Sequence, residues 1–133
     1  MKVLMLIAHG SRKQAANNEV SRLAEQISKL EDSEYDAVVP AFLEFVEPDI
    51  HQGVERCIEL GADTIVAMPY FLAAGRHVAE DIPKQIECAR TGNPQVNIEI
   101  SQYLGESEAM ARLVVQCSHN TGQADESVQH KAG

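Results

Sequence analysis

The chain has 133 residues, 44% of them hydrophobic and 23% charged, which is typical of one globular domain with a hydrophobic core. Its 20 acidic and 11 basic residues give a formal net charge of −9, which argues against nucleic acid and anionic membranes as partners, because both attract clustered Lys and Arg. No apolar run reaches the roughly 20 residues of a membrane span, and the apolar start lacks a signal peptide's flanks and cleavage site, so we expect a cytoplasmic protein.

Apolar segments of strand length alternate along the chain with amphipathic segments of helix length. The first of them, Val3–Ala8, is a continuous apolar run, as expected for a strand that is covered on both faces. Pro40 favours an irregular or edge position for the second strand. In chain order we expect strands at about 3–8, 36–43, 64–68 and 96–101, and helices at about 11–30, 48–60, 77–90 and 106–117.

This alternation predicts an α/β fold of flavodoxin-like type. We expect a single doubly wound domain over residues 1–118, with a four-stranded parallel sheet and helices on both faces. Residues 119–133 are mostly polar and predict a disordered tail. The three cysteines have no metal-binding spacing, and Cys57 and Cys88 fall in predicted helices, where we expect them to be buried.

Two histidines follow predicted strands, His9 after the first and His77 after the third. Loops at the carboxyl ends of parallel strands gather at one edge of the sheet, where two imidazoles can hold a divalent metal or transfer protons near neutral pH. The start of a helix disfavours a positive charge, so we expect His77 to keep a lone pair for a metal. Glu44, between bulky apolar residues at the end of the second strand, is a further candidate for metal ligation or proton exchange.

Positively charged side chains flank both histidines despite the net negative charge. Arg12 and Lys13 follow the first histidine and Arg76 precedes the second, so an anionic small molecule could be held there, and a guanidinium suits a carboxylate. The loop before the second histidine is unusually apolar. With Tyr70 and Phe71 it fits a wall against a large, flat hydrophobic ligand.

The turn after the first strand has two further features. Ser11 is expected to cap the following helix, and the glycines form neither a P-loop nor a GxGxxG motif, so no nucleotide is expected. A His-Gly pair after a strand also occurs in phosphatases that form a phosphohistidine. Those enzymes place an arginine directly before the histidine, where this chain has Ala8. On the later helix, Glu80 and Asp81 are interpreted as acids of the first turn, which the helix dipole favours.

Three segments together resemble the class II chelatases of tetrapyrrole biosynthesis, specifically the short-form sirohydrochlorin cobaltochelatases. They are LIAHGSR at 6–12, PAFLEFVEPDI at 40–50 and MPYFLAAGRHVAEDIP at 68–83. The resemblance extends over about residues 1–117. It implies that His9 and His77 are the metal-binding, catalytic pair, and it places Glu44 at the family's catalytic acidic position.

The resemblance implies that the protein inserts a divalent metal ion, cobalt before iron or nickel, into sirohydrochlorin without a nucleotide. The macrocycle carries several carboxylates and would be bound by Ser11, Arg12, Lys13, Tyr70, Phe71 and Arg76. Longer family members carry two such domains in one chain, so the resemblance also implies a homodimer. A non-catalytic carrier of metal or tetrapyrrole is an alternative, because it would use the same residues.

Overall fold

The computed structural model describes residues 1–122, which form one sheet of four parallel strands with helices against it. The strands are β1 (Lys2–Ala8), β2 (Ala37–Phe42), β3 (Thr64–Pro69) and β4 (Asn97–Ile100). Their order across the sheet is β2-β1-β3-β4, so β1 pairs with both β2 and β3. The predicted α/β fold with a four-stranded parallel sheet is confirmed.

Within the described residues, four α-helices and two short helical turns lie between the strands or after the last one. They are α1 (Gln14–Ser28), α2 (Ile50–Leu60), a π-helical turn (His77–Asp81) that leads into α3 (Ile82–Gly92), and a 3₁₀ turn (Leu104–Glu106) before α4 (Ala109–Ser118). The second helix begins at a capping box between Asp49 and Gln52, and it ends at Gly61, whose φ of 108° is left-handed. None of the described helices is long and apolar enough to cross a membrane.

The main hydrophobic core lies between the sheet and the helices α2 and α3. From β1, alternate side chains (Val3, Met5 and Ile7) are fully buried there against residues of both helices. Because successive strand residues point to opposite faces, Leu4, Leu6 and Ala8 lie on the other side, where they are also buried. The continuous apolar run of β1 therefore has the predicted cause: it is the strand that is covered on both faces.

Two details differ from the sequence-based expectations. Ser11 does not cap α1, which begins only at Gln14; its hydroxyl instead accepts a hydrogen bond from the Lys13 N–H at 3.0 Å. Cys57 is buried as expected, but Cys88 is exposed, because it lies away from the face of α3 that buries Ile86 and its neighbours. Most of the predicted tail at 119–133 lies outside the described residues, which end at 122. Its disorder therefore stays a prediction.

Candidate metal centre

The order of the strands places a crevice at the carboxyl ends of β1 and β3. The chain crosses from β1 to β2 on one side and then returns to β3 on the other side of β1. Such a point, where successive connections diverge, is where open α/β sheets bind ligands. His9 directly follows β1, Glu44 follows β2, and His77 follows β3 after the loop at 70–76.

His9 is held by the main chain of its own turn. Its Nδ1–H donates to the Gly10 carbonyl oxygen at 3.0 Å. Gly10 has a φ of +94°, and a Cβ placed there would lie 2.0 Å from the Glu44 carbonyl oxygen, so only glycine fits. The Glu44 N–H in turn donates to the His9 carbonyl at 3.0 Å. Main-chain contact thus brings the first histidine and Glu44 together.

A buried asparagine fixes the next residue of this turn. Asn17 is 3% exposed. Its side-chain oxygen accepts from the Ser11 N–H at 2.9 Å, and its side-chain amide donates to the Ser11 carbonyl at 2.8 Å. The main chain of Ser11 is therefore tied to α1. This role of Asn17 was not predicted, because a single polar residue on a helix carries no signal of its partner.

The loop after β2 presents an aromatic ring beside His9. Phe45 has a φ of 71°, which is unusual for a bulky residue, and the Val46 N–H closes the tight turn on the Glu44 carbonyl at 2.8 Å. The ring of Phe45 is 53% exposed. Its centroid lies 6.4 Å from that of His9, and the Arg12 guanidinium lies over it at 4.8 Å. Phe45 was not predicted, since nothing in the sequence shows that an aromatic side chain at the end of a strand is exposed.

His77 reaches the same place from the π-helical turn. Its ring centroid is 4.7 Å from that of His9 and 6.4 Å from that of Phe71. Its Nδ1–H donates to the Asp81 carboxylate at 2.7 Å. Asp81 therefore does more than the predicted first-turn acid, and its spacing of four residues from a histidine was the available signal.

The structure brings the three predicted site residues His9, Glu44 and His77 into one cluster. Each offers a ligand atom, and these atoms all lie within 4.8 Å of one another; the Nε2 of His9 is 3.1 Å from Oε2 of Glu44. Two imidazole nitrogens and one carboxylate oxygen suit divalent first-row transition metals. Three protein ligands also leave coordination positions for water or for an incoming ligand.

An apolar groove lies beside the cluster. It has a volume of about 270 Å³ and is lined by Tyr70, Phe71, Leu72 and Leu104. The Gly105 N–H donates to the Phe71 carbonyl at 3.0 Å, and a Cβ on Gly105 would lie 1.9 Å from the Leu72 carbonyl oxygen, so the groove's two segments touch through their main chains. Tyr70 and Phe71 were predicted to line such a wall; Leu104, distant in sequence, was not.

The predicted cationic residues occupy the rim of this region. Arg12, Lys13 and Arg76 are exposed. The first of them lies on the Phe45 ring, as described above, while the side chain of the predicted substrate ligand Ser11 accepts from the Lys13 N–H. Exposed cations therefore follow His9 and precede His77 in the chain, although the net charge is −9.

Comparison with known proteins shows the family of the chain. The family model described as CbiX matches residues 3–121. The chain belongs to the CbiX family. It is 32% identical over 111 residues to a sirohydrochlorin cobaltochelatase of Sulfurisphaera tokodaii, covering 84% of this chain and 86% of that relative. It is 31% identical over 121 residues to a sirohydrochlorin ferrochelatase of Priestia megaterium, covering 91% of this chain and 45% of that relative.

The fold of this CbiX-family chain matches solved chelatase structures. The sirohydrochlorin chelatase SirB from Bacillus subtilis subspecies spizizenii, in complex with cobalt, superposes with a TM-score of 0.79 at 26% identity, over 91% of this chain and 51% of SirB. The chain spans about half the length of several curated relatives it matches, 45–59% in three of them.

Proposed function

We propose that the protein inserts a divalent metal ion, cobalt foremost, into sirohydrochlorin without a nucleotide. The observation that carries this proposal is the convergence of His9, Glu44 and His77 within 4.8 Å of one another beside an apolar, aromatic groove. A metal-delivery site needs ligands that hold an ion, open coordination positions and a surface for a flat macrocycle. These three features adjoin one another here.

The same residues account for the proton balance of the reaction. Insertion of M²⁺ into the macrocycle forms metal–nitrogen bonds and releases two pyrrole N–H protons. The Glu44 carboxylate is 47% exposed at its side chain and accepts one proton, and from there water can carry it away. As the macrocycle nitrogens take the ion, the imidazole nitrogens of His9 and His77 lose it and become free to accept the second proton.

The groove and its rim suit a flat, polycarboxylate substrate. Tyr70 and Phe71 present apolar surface to the macrocycle face, and the exposed cations Arg12, Lys13 and Arg76 can pair with its carboxylates. Ser11 is assigned to the same rim. Because those pairs form at the surface, salt should weaken substrate binding.

The metal-insertion assay tests the proposal directly. Anaerobic absorbance of sirohydrochlorin with Co²⁺ should change faster than the spontaneous reaction, and His9→Ala or His77→Ala should lower the rate by about 10²–10⁴-fold. His51→Ala is the matched control, because this exposed histidine of α2 is not among the clustered ligands. If wild-type protein binds both ligands but leaves the spontaneous rate unchanged, the protein is a carrier and the proposal is wrong.

Cobalt is the metal that we propose as the physiological substrate. The ligand set of two nitrogens and one oxygen accepts Co²⁺, Fe²⁺ and Ni²⁺, and affinity order alone does not choose among them. The names of the relatives support cobalt or iron. Equal concentrations of the three ions, supplied anaerobically in competition, should yield mainly the cobalt product; mainly iron product would reassign the enzyme as a ferrochelatase.

A homodimer is the assembly that we propose. In α4, Leu113, Val114 and Val115 are 45%, 60% and 57% exposed, and no residue of that helix is buried. A second copy covering this helix would bury them, and SirB, whose chain is about twice as long, matches this chain over only half its length. Light scattering should give the mass of two chains, and Leu113→Asp should reduce it whereas Leu30→Asp should not. A monomeric wild type would contradict this assembly.

The cytoplasm is the compartment that we propose for the reaction. The three cysteines are free, which fits a reducing compartment.

A further inference from the structure

We propose that Asp81 is a positioning residue that fixes the tautomer and orientation of His77 for metal transfer. This inference rests on the proposed function for its biological meaning, but not for its structural basis. The basis is the hydrogen bond of 2.7 Å from the His77 Nδ1–H to the Asp81 carboxylate. The two side chains are 38% and 37% exposed, so neither is free to sample every orientation in solvent.

The backbone that presents these two side chains has an unusual shape. Residues 77–81 form a π-helical turn, closed by a hydrogen bond from the Ile82 N–H to the His77 carbonyl. Such wide turns are rare in proteins, and those that occur are often found at functional sites. The turn joins the exposed loop at 72–76 to the buried start of α3, where Ile82 is 0% exposed. Asp81 thus stands next to a fixed point of the core, while His77 is attached to the exposed loop.

The hydrogen bond decides which nitrogen of His77 can bind a metal. With the proton on Nδ1 engaged by the carboxylate, the neutral ring carries its lone pair on Nε2. The Gly10 carbonyl accepts a hydrogen bond from the Nδ1–H of His9 in the same way. Both rings thus offer Nε2 as the metal ligand.

Asp81 acts through His77 rather than on the metal. The metal-ligating cluster consists of His9, Glu44 and His77, and Asp81 contacts it through the Nδ1 of one ring. Carboxylates that accept from a ligating histidine orient the ring and raise its basicity, and their removal lowers metal affinity or activity by about 10–100-fold. If Asp81 acted only through its charge at the helix dipole, any acid of the same turn would serve equally well.

Glu80 separates these two roles. It is the neighbouring acid of the turn and is exposed, so Glu80→Gln removes one negative charge and leaves the His77–Asp81 hydrogen bond in place. Asp81→Ala removes the acceptor. Asp81→Asn keeps an acceptor oxygen of nearly the same shape without the charge, and it should restore part of what the alanine variant loses.

The experiment measures the tautomer and the metal affinity of the full chain. In ¹⁵N NMR of the metal-free protein, the neutral His77 ring should be the Nδ1–H form in wild type and in Glu80→Gln, and a mixture of both tautomers in Asp81→Ala. Competition with a chromophoric chelator should show Co²⁺ affinity weakened by about 10–100-fold in Asp81→Ala, partly restored in Asp81→Asn and unchanged in Glu80→Gln.

Two results would overturn the inference: an unchanged His77 tautomer in Asp81→Ala, or equal loss of Co²⁺ affinity in the Glu80 and Asp81 variants. Neither readout requires metal insertion into sirohydrochlorin. Asp81-dependent Co²⁺ binding in a protein without chelatase activity would therefore support the positioning role while contradicting the proposed function. Circular dichroism of each variant shows whether it has kept the wild-type fold.

Discussion

The two histidines of the cluster are anchored by different means. His9 donates its Nδ1–H to a main-chain carbonyl in a turn that is bonded to Glu44 and, through Ser11, to Asn17. His77 donates to a side-chain carboxylate, at the end of an exposed loop. The first anchor is part of the folded scaffold and cannot be deleted by truncating one side chain. The second depends on one residue, so it can be weakened without unfolding the domain.

The contrast suits the proposed function, in which the site accepts an ion and then releases it. A rigid ligand defines where the ion is held. A second ligand next to an exposed loop can yield as the macrocycle enters, since segments with few buried contacts open at low cost. The groove lined by Phe71 and Leu72 lies next to His77, so under the proposed function the substrate would bind beside the adjustable ligand.

Gly10→Ala should have the largest effect on stability and Co²⁺ binding, because it changes the main-chain turn that holds His9 beside Glu44. The left-handed backbone alone should cost about 1–3 kcal/mol in the free energy of unfolding, and the clash with the Glu44 carbonyl, 2.0 Å from the added Cβ, should add to it. Chemical denaturation measures the first effect, and Co²⁺ titration should show loss of binding as His9 and Glu44 move apart.

Gly92→Ala is the control for that substitution. A Cβ on Gly92 meets nothing within 4 Å, and alanine is the better helix former, so stability should be unchanged or higher by up to about 1 kcal/mol. If Gly10→Ala is as stable as this control and still binds Co²⁺, the main-chain anchor is not rigid and the contrast between the two histidines fails.

Gly105→Ala should have a smaller effect, confined to the groove beside His77. The added Cβ would lie 1.9 Å from the Leu72 carbonyl, but the Leu72 loop is exposed and can shift. We expect kcat/KM for sirohydrochlorin to fall by about 10-fold, since misplacing a substrate by about 1 Å can cost up to about 10²-fold in rate. Co²⁺ affinity should stay at the wild-type value.

Gly75→Ala is the matched control, because a Cβ there meets nothing within 4 Å and the residue belongs to the same loop. Steady-state kinetics of the two variants should differ in kcat/KM for sirohydrochlorin. Weakening of Co²⁺ binding by Gly105→Ala to the level of Gly10→Ala would show that the two sides are not independent.

Thiol labelling gives the smallest effect and tests whether the scaffold is intact. Burial raises the pKa of the Cys57 thiol to about 12, so a thiol reagent should label exposed Cys88 in the native protein and Cys57 only after unfolding. The raised pKa favours the neutral thiol in the folded state; its contribution to stability is complete below pH 9.0 and is lost as the pH rises from there towards about 12.

The same labelling separates local from global damage in the glycine variants. A Gly105→Ala protein should keep Cys57 protected, because the residues that line the groove are not among the buried core residues, although Phe71 packs against them. Rapid labelling of Cys57 in that variant would mean that the loop at 70–72 is part of the cooperative core, and His77 would then be held as rigidly as His9.

The sequence was sufficient for the scaffold and for three residues of the cluster. The apolar run of β1 and the spacing of Gly and Pro indicated the elements, and position after a strand singled out His9, Glu44 and His77. It was insufficient for the contacts between segments. Asp81 was interpreted as a first-turn acid, and Ser11 as a helix cap, since each interpretation used the nearest residues in the chain.

What the sequence determined by itself is the order of elements and the chemistry available at their ends, because both follow from local periodicity and residue type. The tertiary structure alone decided how these groups meet. The 4.7 Å between the rings of His9 and His77 arises from strands that pair in the sheet and from a glycine turn closed against Glu44. Which acceptor holds each imidazole depends on the path of the backbone, and residue spacing does not specify that path.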